Sequence, residues 1–175
     1  MIRIERSSAE SLDEAARLME KVWRQTDTKE WFVIEEKEWL KERMQSGRGI
    51  LYQAFDAGKG QMAGVLFVVL PGNVEDNLGE DAGIAQDQLQ KVAHMDTAAV
   101  LPEYRGQKLQ YKMMQMAEKD LRDMGYRYLM CTVHPDNRFS RNNITGQGYT
   151  LVATKRKYGG YLRDIMWKEL TGGGK

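Results

Sequence analysis

The chain has 175 residues, of which 42% are hydrophobic and 29% charged, which is typical of a globular domain with a sizeable core. A net charge of +1 excludes a general attraction to nucleic acid or anionic membrane, so any anion site must be local. The single cysteine, Cys131, excludes an intramolecular disulfide and a cysteine-rich zinc site, and no His, Asp or Glu spacing suggests another metal. Because the N-terminus lacks the apolar core of a signal peptide and no apolar run could cross a bilayer, we expect a soluble, cytoplasmic protein.

The first part of the chain predicts a strand, two helices and a hairpin. "IRIER" alternates apolar and charged residues as a half-buried strand does, and Ser11 with Glu14 could form a capping box for the next helix. A second helix is predicted over residues 35–45, with Gly47 as its stop. "GILYQAFDAGKGQMAGVLFVVL" reads as two strands around a Gly-rich turn. The apolar positions of the two helices are Leu12, Ala15, Ala16, Leu18, Met19 and Val22, then Trp39, Leu40 and Met44.

Residues 71–90 contain five acidic residues and no Lys or Arg, and we expect a short helical turn at 84–89. After this segment, "KVAHMDTAAVL" predicts a strand, and a helix should follow it to about Met124, with Gly125 as its stop. "YRYLMCTVH" predicts a buried strand, "PDNRFSRNNITGQG" a loop and short helix, and the remainder two strands joined around residues 158–160. The apolar face of the long helix comprises Leu109, Met113, Met116, Ala117, Leu121 and Met124.

These elements predict one α/β (α+β) domain over residues 1–170 and a flexible tail over residues 171–175. A helix lies between the fourth and fifth strands, so these two strands should be parallel neighbours joined by a right-handed crossover. The other strands read as hairpins, which predicts a mixed, mostly antiparallel sheet of about seven strands.

The segment 98–114, "AAVLPEYRGQKLQYKMM", begins like a strand and ends like a helix. The first turn of a helix leaves amide donors unpaired and carries a partial positive charge. Arg105 and Gly106 immediately before such a turn therefore predict an anion site. Other phosphate-binding motifs fail, since the chain has no G-x-x-x-x-G-K-[ST] and "GKGQMAG" mis-spaces the dinucleotide-binding glycines.

The element order, the "V-x-P-x-x-R-G" run and the later "N-x-x-S" resemble the GNAT superfamily of acyl-CoA-dependent N-acyltransferases, most specifically over residues 92–149. The resemblance implies helices on both faces of the sheet and acetyl-CoA as co-substrate. In the family, the fourth strand pairs with the pantetheine arm and the loop amides hold the pyrophosphate. The resemblance places the cofactor on Ala98, Ala99, Val100, Arg105, Gly106, Gln107, Lys108, Leu109, Gln110, Asn137 and Ser140.

Two positions depart from the family pattern. The family loop reads [QR]-x-x-G-x-[GA], whereas Lys108 and Gln110 replace the later glycines here. Either Lys108 takes a left-handed backbone at a cost of roughly 1–2 kcal/mol, or it already belongs to the first helical turn, which the helical spacing favours. The family's general-acid tyrosine is replaced by Ile144, so water or Tyr149 would protonate the leaving thiolate, although Tyr149 also reads as a packing residue.

N-acylation needs a base that removes a proton from the amine, and the candidates are Asp96 and His134. Asp96 is a carboxylate in an otherwise apolar strand, although backbone groups or Thr97 could simply hydrogen-bond it. His94, on the same strand face, is favoured as a structural histidine. Trp31 and Phe32 lie where the family builds its acceptor wall, and we place them at a substrate pocket.

The predicted function is direct acetyl transfer from acetyl-CoA to a primary amine, small molecule or protein, in a ternary complex. The alternative is an acyl-CoA-binding regulatory or sensor domain with little or no turnover. The acidic segment 71–90 would attract a cationic amine, or it is only a solvated, mobile loop. The sequence leaves the oligomeric state open, a homodimer included, and it predicts no nucleic-acid, membrane or metal partner.

Overall fold

The computed structural model describes residues 1–73 and 76–171, and the predicted order of elements is confirmed. No helix in these residues is long and apolar enough to cross a membrane. The strands are β1 (Ile2–Ser7), β2 (Gly49–Asp56), β3 (Gln61–Val69), β4 (Val92–Val100), β5 (Tyr128–Val133), β6 (Thr150–Lys157) and β7 (Tyr161–Glu169). The helices are α1 (Leu12–Gln25), α2 (Lys37–Gln45), α3 (Leu109–Asp123) and α4 (Arg138–Gly146). Short 3-10 turns cover Ala9–Ser11, Lys29–Trp31, Leu78–Glu80, Gln86–Lys91 and Pro102–Tyr104.

The strands form a seven-stranded mixed sheet in the order β1-β2-β3-β4-β5-β7-β6. The pairs β1–β2, β2–β3, β5–β7 and β6–β7 are antiparallel. The parallel pair is β4–β5, whose register runs from Val92 opposite Tyr128 to His94 opposite Met130. The mixed, mostly antiparallel sheet is therefore confirmed, as is the parallel pair on either side of α3.

The chain divides into two compact units, of which the first holds Met1–Val69 and Met95–Glu118. In this unit α1 contacts β3 and α2 contacts β2. The predicted stripe of α1 is buried except at the half-buried Ala16. Burying such a stripe against a sheet is the main source of stability for an amphipathic helix. The largest buried side chains of the unit include Met19, Leu40, Leu51, Tyr52, Leu66, Phe67 and Met113.

The starts of α1 and α2 differ in detail from the prediction. The Ser11 side chain makes no capping hydrogen bond, because its backbone is already helical. The Glu14 carboxylate instead accepts a hydrogen bond from the Met62 amide at 3.0 Å, so the predicted capping box is wrong. Helix α2 begins at Lys37 rather than at residue 35 and ends at Gln45 as predicted. The predicted stop, Gly47, has a φ of 76°, which only glycine adopts without strain.

The second unit holds Leu70–His94 and the chain from Lys119 onward. Its buried cluster comprises Leu78, Val92, Tyr128, Met130 and Ile165. The Trp167 ring stacks on that of Tyr128, with centroids 5.7 Å apart. Helix α3 ends at Asp123 and Gly125 follows with a φ of 92°, so Met124 lies beyond the helix and is 47% exposed rather than inward as predicted.

The described part of the acidic segment is folded around one buried asparagine. The Asn77 side chain donates to the Gly72 carbonyl at 2.7 Å and to the Leu89 carbonyl at 3.0 Å, and it accepts from the Gly79 amide at 2.8 Å. The adjacent Leu78 amide donates to His94 Nε2 at 3.0 Å. The expected helical turn lies at Gln86–Lys91 instead of 84–89. A side-chain amide with three backbone partners replaces regular secondary structure here, which is why periodicity did not predict it.

We expect Asn77→Ala to lower the free energy of unfolding by about 3 kcal/mol, because it leaves buried backbone groups without their partners. Urea denaturation measures the change, and the exposed Asn73→Ala is the matched control. A loss for Asn77→Ala that stays within 0.5 kcal/mol of the control's, about the usual effect of a surface change, would contradict this account of the segment.

Candidate functional site

The end of β4 alternates between the core and a more open face. Thr97 and Ala99 are buried, whereas Asp96, Ala98 and Val100 are half-buried. The position of the chain just after β4 is fixed, because the Leu101 amide donates to a β3 carbonyl at 2.9 Å. Of the predicted pantetheine residues, Ala98 and Val100 thus share a face with Asp96, and Ala99 points to the opposite side.

The loop after β4 takes a left-handed backbone at two positions. The 3-10 turn Pro102–Tyr104 ends at Arg105, Gly106 has a φ of 86°, and Lys108 has a φ of 59°. The preferred interpretation of Lys108 as part of the helix was therefore wrong, because α3 begins one residue later at Leu109. Lys108 stands where the family places a glycine, and it keeps the glycine-type conformation at a cost of roughly 1–2 kcal/mol.

This loop presents exposed backbone at the start of α3. Residues 105–108 are all exposed, whereas Leu109 is buried. The Lys112 amide donates to the Lys108 carbonyl at 2.9 Å, so the amides of the three residues between them have no acceptor within the helix. Such a terminus favours anions through its donors and its dipole. Leu109 can take part in a cofactor site only through its backbone.

Asp96 is a carboxylate with a strongly raised pKa. Burial, and secondly repulsion from the Glu35 carboxylate, raise the pKa of Asp96 from 3.8 to about 7. The Thr97 hydroxyl donates to Asp96 Oδ2 at 3.2 Å, which is the structural hydrogen bond expected as the alternative to catalysis. This hydrogen bond and the charge of Arg43 both oppose the rise in the pKa. These contacts do not compensate for the burial, and perturbed groups of this kind are enriched in functional sites.

A cavity of about 630 Å³ lies along α1 and the segment that leads into α2. Its lining carries five carboxylates and two cations, and Lys37 Nζ lies 3.3 Å from the Asp13 carboxylate. Glu35 belongs to this lining and also raises the pKa of Asp96. The predicted pocket residues Trp31 and Phe32 are half-buried but do not line it. The lining residues are Asp13, Ala16, Arg17, Glu20, Ile34, Glu35, Glu36, Lys37 and Glu38.

In the second unit, His134 and Asn137 organise the start of α4. The buried His134 accepts a hydrogen bond through Nδ1 from the Asp136 amide at 3.1 Å, and its carbonyl accepts from the Asn137 amide at 2.9 Å. The Asn137 side chain accepts from the Ser140 amide at 3.3 Å and so caps the helix. These contacts give both residues a structural role, and their catalytic or cofactor roles stay predictions.

Four other residues that bear on the site are buried in the core. Ile144, at the position of the family's tyrosine, and Tyr149 are both buried, and the Tyr149 amide donates to the Ile144 carbonyl at 3.3 Å. Burial lowers the pKa of His94 to about 4, so His94 is neutral and serves as a hydrogen-bond acceptor. Burial also raises the pKa of the Cys131 thiol to about 12, which makes it unreactive.

The acidic segment is partly neutralised from β6. Lys155 Nζ and Lys157 Nζ lie 2.7 and 2.9 Å from the two carboxylate oxygens of Asp81. Burial would raise the pKa of Asp81, but the two lysines outweigh it and lower the pKa. Asp81 therefore cannot act as uncompensated charge. Glu75 lies outside the described residues.

The model of the acetyltransferase (GNAT) family matches residues 12–149, and the chain therefore belongs to this family. No curated protein matches the chain in sequence. Among the residues that the structure describes, no group of three His, Cys, Asp or Glu side chains could hold a metal ion.

Solved structures share the fold at low sequence identity. PaiA N-acetyltransferase from Thermoplasma acidophilum, in complex with coenzyme A, is 19% identical, with a TM-score of 0.68 over 97% of this chain and 99% of that one. The ribosomal-protein-S18-alanine N-acetyltransferase from Escherichia coli is 16% identical, with a TM-score of 0.69 over 100% and 99%. YncA, a putative acetyltransferase from Salmonella typhimurium with its cofactor acetyl-CoA, is 14% identical, with a TM-score of 0.70 over 98% and 95%.

The sequence analysis did not predict the acidic cavity or the effect of its Glu35 on the pKa of Asp96. Its carboxylates come from α1 and from the residues around the start of α2, and each reads along the chain as an ordinary helix-surface residue. The three acidic residues at positions 34–38 and their flanking sequence gave no periodic signal. Only "IEEKE" itself, rich in carboxylates before an apolar helix face, marked the place.

The left-handed backbone at Lys108 generates a stability prediction. We expect Lys108→Gly to raise the free energy of unfolding by about 1 kcal/mol, because glycine adopts this φ without the Cβ clash. Gly106→Ala should lower it by about 1 kcal/mol through the backbone alone, since a Cβ there meets nothing within 4 Å. Urea denaturation measures both, and a destabilised Lys108→Gly variant would show that the strain is not there.

Proposed function

We propose that the protein transfers an acetyl group from acetyl-CoA to a primary amine by direct attack in a ternary complex. The observation that carries the proposal is the junction of β4, the exposed loop 105–108 and the start of α3, in a chain of the GNAT family. The loop supplies Arg105 and unpaired amides for the cofactor's pyrophosphate, and Ala98 and Val100 flank the path of its pantetheine arm. Two of the structural neighbours hold coenzyme A and acetyl-CoA, which supports the same cofactor here.

The reaction needs one proton removed and one supplied. The neutral amine's lone pair attacks the thioester carbonyl carbon, the carbon–sulfur bond breaks, and an N-acetyl amine and the CoA thiolate result. Asp96, with its pKa of about 7, accepts the amine proton directly or through water and is a stronger base than an ordinary carboxylate. Water protonates the thiolate, or Tyr149 does so in place of the missing tyrosine at position 144.

The acceptor in this proposal is a cationic amine, such as a diamine, a polyamine or a lysine side chain. The cavity beside α1 and α2 has five carboxylates against two cations, and one of these carboxylates, Glu35, influences Asp96. A lining of one predominant charge concentrates oppositely charged ligands, most strongly at low salt. This cavity takes over the role that the sequence suggested for segment 71–90, whose Asp81 is neutralised by lysines.

An acyl-CoA-binding domain with little turnover is the second candidate. Ile144 in place of the family's tyrosine is the observation that favours it, since this buried side chain cannot donate a proton. The two candidates agree on cofactor binding and differ only in turnover.

The first experiment separates binding from turnover. We expect acetyl-CoA to raise the melting temperature of the protein by mass action, and Arg105→Ala to weaken this effect in a folded variant. Release of the CoA thiol, with mass spectrometry of the product, should be faster with diaminobutane than with the equally long but singly charged aminobutanol. The difference should shrink as salt is added. The absence of a thermal shift at millimolar acetyl-CoA would refute the proposed function. A thermal shift without formation of an acetylated amine would instead support the binding domain.

The second experiment tests Asp96 as the base. For the wild type, kcat/KM for the amine should show a protonation step near the Asp96 pKa of about 7, because only the carboxylate form accepts a proton. Asp96→Asn should lose this step and fall on the order of 10²-fold or more while keeping its affinity for acetyl-CoA. The exposed Asp123→Asn serves as the control. An Asn variant with the wild-type pH profile would remove Asp96 from the mechanism.

Stability gives an independent reading of the same pKa. The pKa of Asp96 is raised in the folded state. Its favourable contribution to the free energy of unfolding is therefore complete below pH 3.8 and is lost as the pH rises through about 7. The gain in melting temperature of Asp96→Asn over the wild type should therefore grow between these pH values and then level off.

A further inference from the structure

Two buried residues hold the ends of the exposed loop 105–108. On one side is Tyr104, which is 5% exposed, and on the other is Leu109, which is 2% exposed. Leu109 is held by the core packing of α3, as its helical spacing predicted. Tyr104 is different, because it is a tyrosine whose hydroxyl reaches a polar group of another element in the first unit.

The Tyr104 hydroxyl lies between two side chains of the β2–β3 hairpin. It donates to Asp56 Oδ2 at 2.5 Å and accepts from Gln61 Nε2 at 2.9 Å. Asp56 and Gln61 are opposite each other at the end of the hairpin. The Lys59 ammonium lies 5.6 Å from the centre of the Tyr104 ring. The hairpin thus satisfies the hydroxyl from both sides and also contacts the ring.

Asp56 is itself fixed by the turn in which it lies. Its other oxygen, Oδ1, accepts hydrogen bonds from the Gly58 and Lys59 amides at 2.9 and 3.3 Å. The Tyr104 hydrogen bond lowers the pKa of Asp56, and the Asp56 carboxylate raises the pKa of Tyr104. Donor and acceptor therefore keep their roles at neutral pH, and the hydrogen bond to a charged group is a strong one.

We propose that Tyr104 is a positioning residue, which through its hydrogen bond to Asp56 holds the loop 105–108 in the conformation that binds the diphosphate of the cofactor. This inference rests on the proposed function. The loop needs such an anchor because Lys108 is strained in its left-handed conformation and Gly106 loses much conformational freedom when its conformation is fixed. Holding the loop before binding removes an ordering cost that the cofactor would otherwise meet.

Tyr104→Phe tests the proposal, since it removes one hydroxyl and keeps the ring. The KM for acetyl-CoA should rise on the order of tenfold, the usual effect of losing a hydrogen bond to a charged group, while kcat at saturation changes less than about twofold. Hydrogen exchange of the amides of residues 105–109 should quicken. Tyr128→Phe, at a buried tyrosine of the second unit, is the matched control and should change neither.

A double-mutant cycle on CoA affinity tests the partner. Asp56→Asn alone should weaken binding, and it should add little to Tyr104→Phe, because both changes break the same hydrogen bond. If Tyr104→Phe does not fold, Asp56→Asn alone still tests the proposal, because it weakens the same hydrogen bond from the other side. Additive losses, or a folded Tyr104→Phe with wild-type KM and wild-type exchange, overturn the proposal. A wild type that does not bind acetyl-CoA refutes the proposed function instead, and the exchange of residues 105–109 in Tyr104→Phe then still decides whether Tyr104 positions the loop.

Discussion

The connection from β4 to α3 must turn a buried strand into a helix within residues 101–108, and this constraint shapes the candidate site. The strand end is fixed by the Leu101 amide on β3, and the helix start by the buried Leu109. A short connection between two fixed ends leaves little freedom in φ and ψ, so Gly106 and Lys108 take left-handed conformations. The same geometry keeps the polar backbone of the loop exposed and the first amides of α3 unpaired, which is what an anion needs.

Three polar side chains in largely apolar surroundings differ in how well hydrogen bonds satisfy them. Asn77 satisfies its amide with three backbone partners, and His94 is neutral and accepts one backbone hydrogen bond. Asp96 has only the Thr97 hydroxyl as a hydrogen-bond partner among the contacts described, and Glu35 nearby opposes its ionisation. A carboxylate that the fold leaves so poorly stabilised is costly, and the role that we propose for it, a catalytic base near neutral pH, would account for this cost.

The net charge of the chain is close to zero, but the tertiary structure pairs some carboxylates with lysines and gathers others around one cavity. Segment 71–90 is acidic along the chain, yet Asp81 meets Lys155 and Lys157 from β6. The segment that leads into α2 attracts less notice along the chain, yet in the first unit it joins carboxylates of α1 around one cavity. The local field around a binding site is set by which charges the fold brings together, and not by the charge of any one segment.

The sequence alone determined the order of the elements, the hairpins, the parallel β4–β5 pair and the position of the loop that we propose to bind the cofactor. Each of these depends on periodicity or on turn residues within a few positions, which are local properties. Tertiary structure alone decided the φ of Lys108, the pKa of Asp96, the acidic cavity and the hydrogen bond between Tyr104 and Asp56. These features depend on distances between residues far apart in the chain, such as the 48 positions that separate Asp56 from Tyr104. No local pattern encodes such distances, because they follow from how the strands and helices pack.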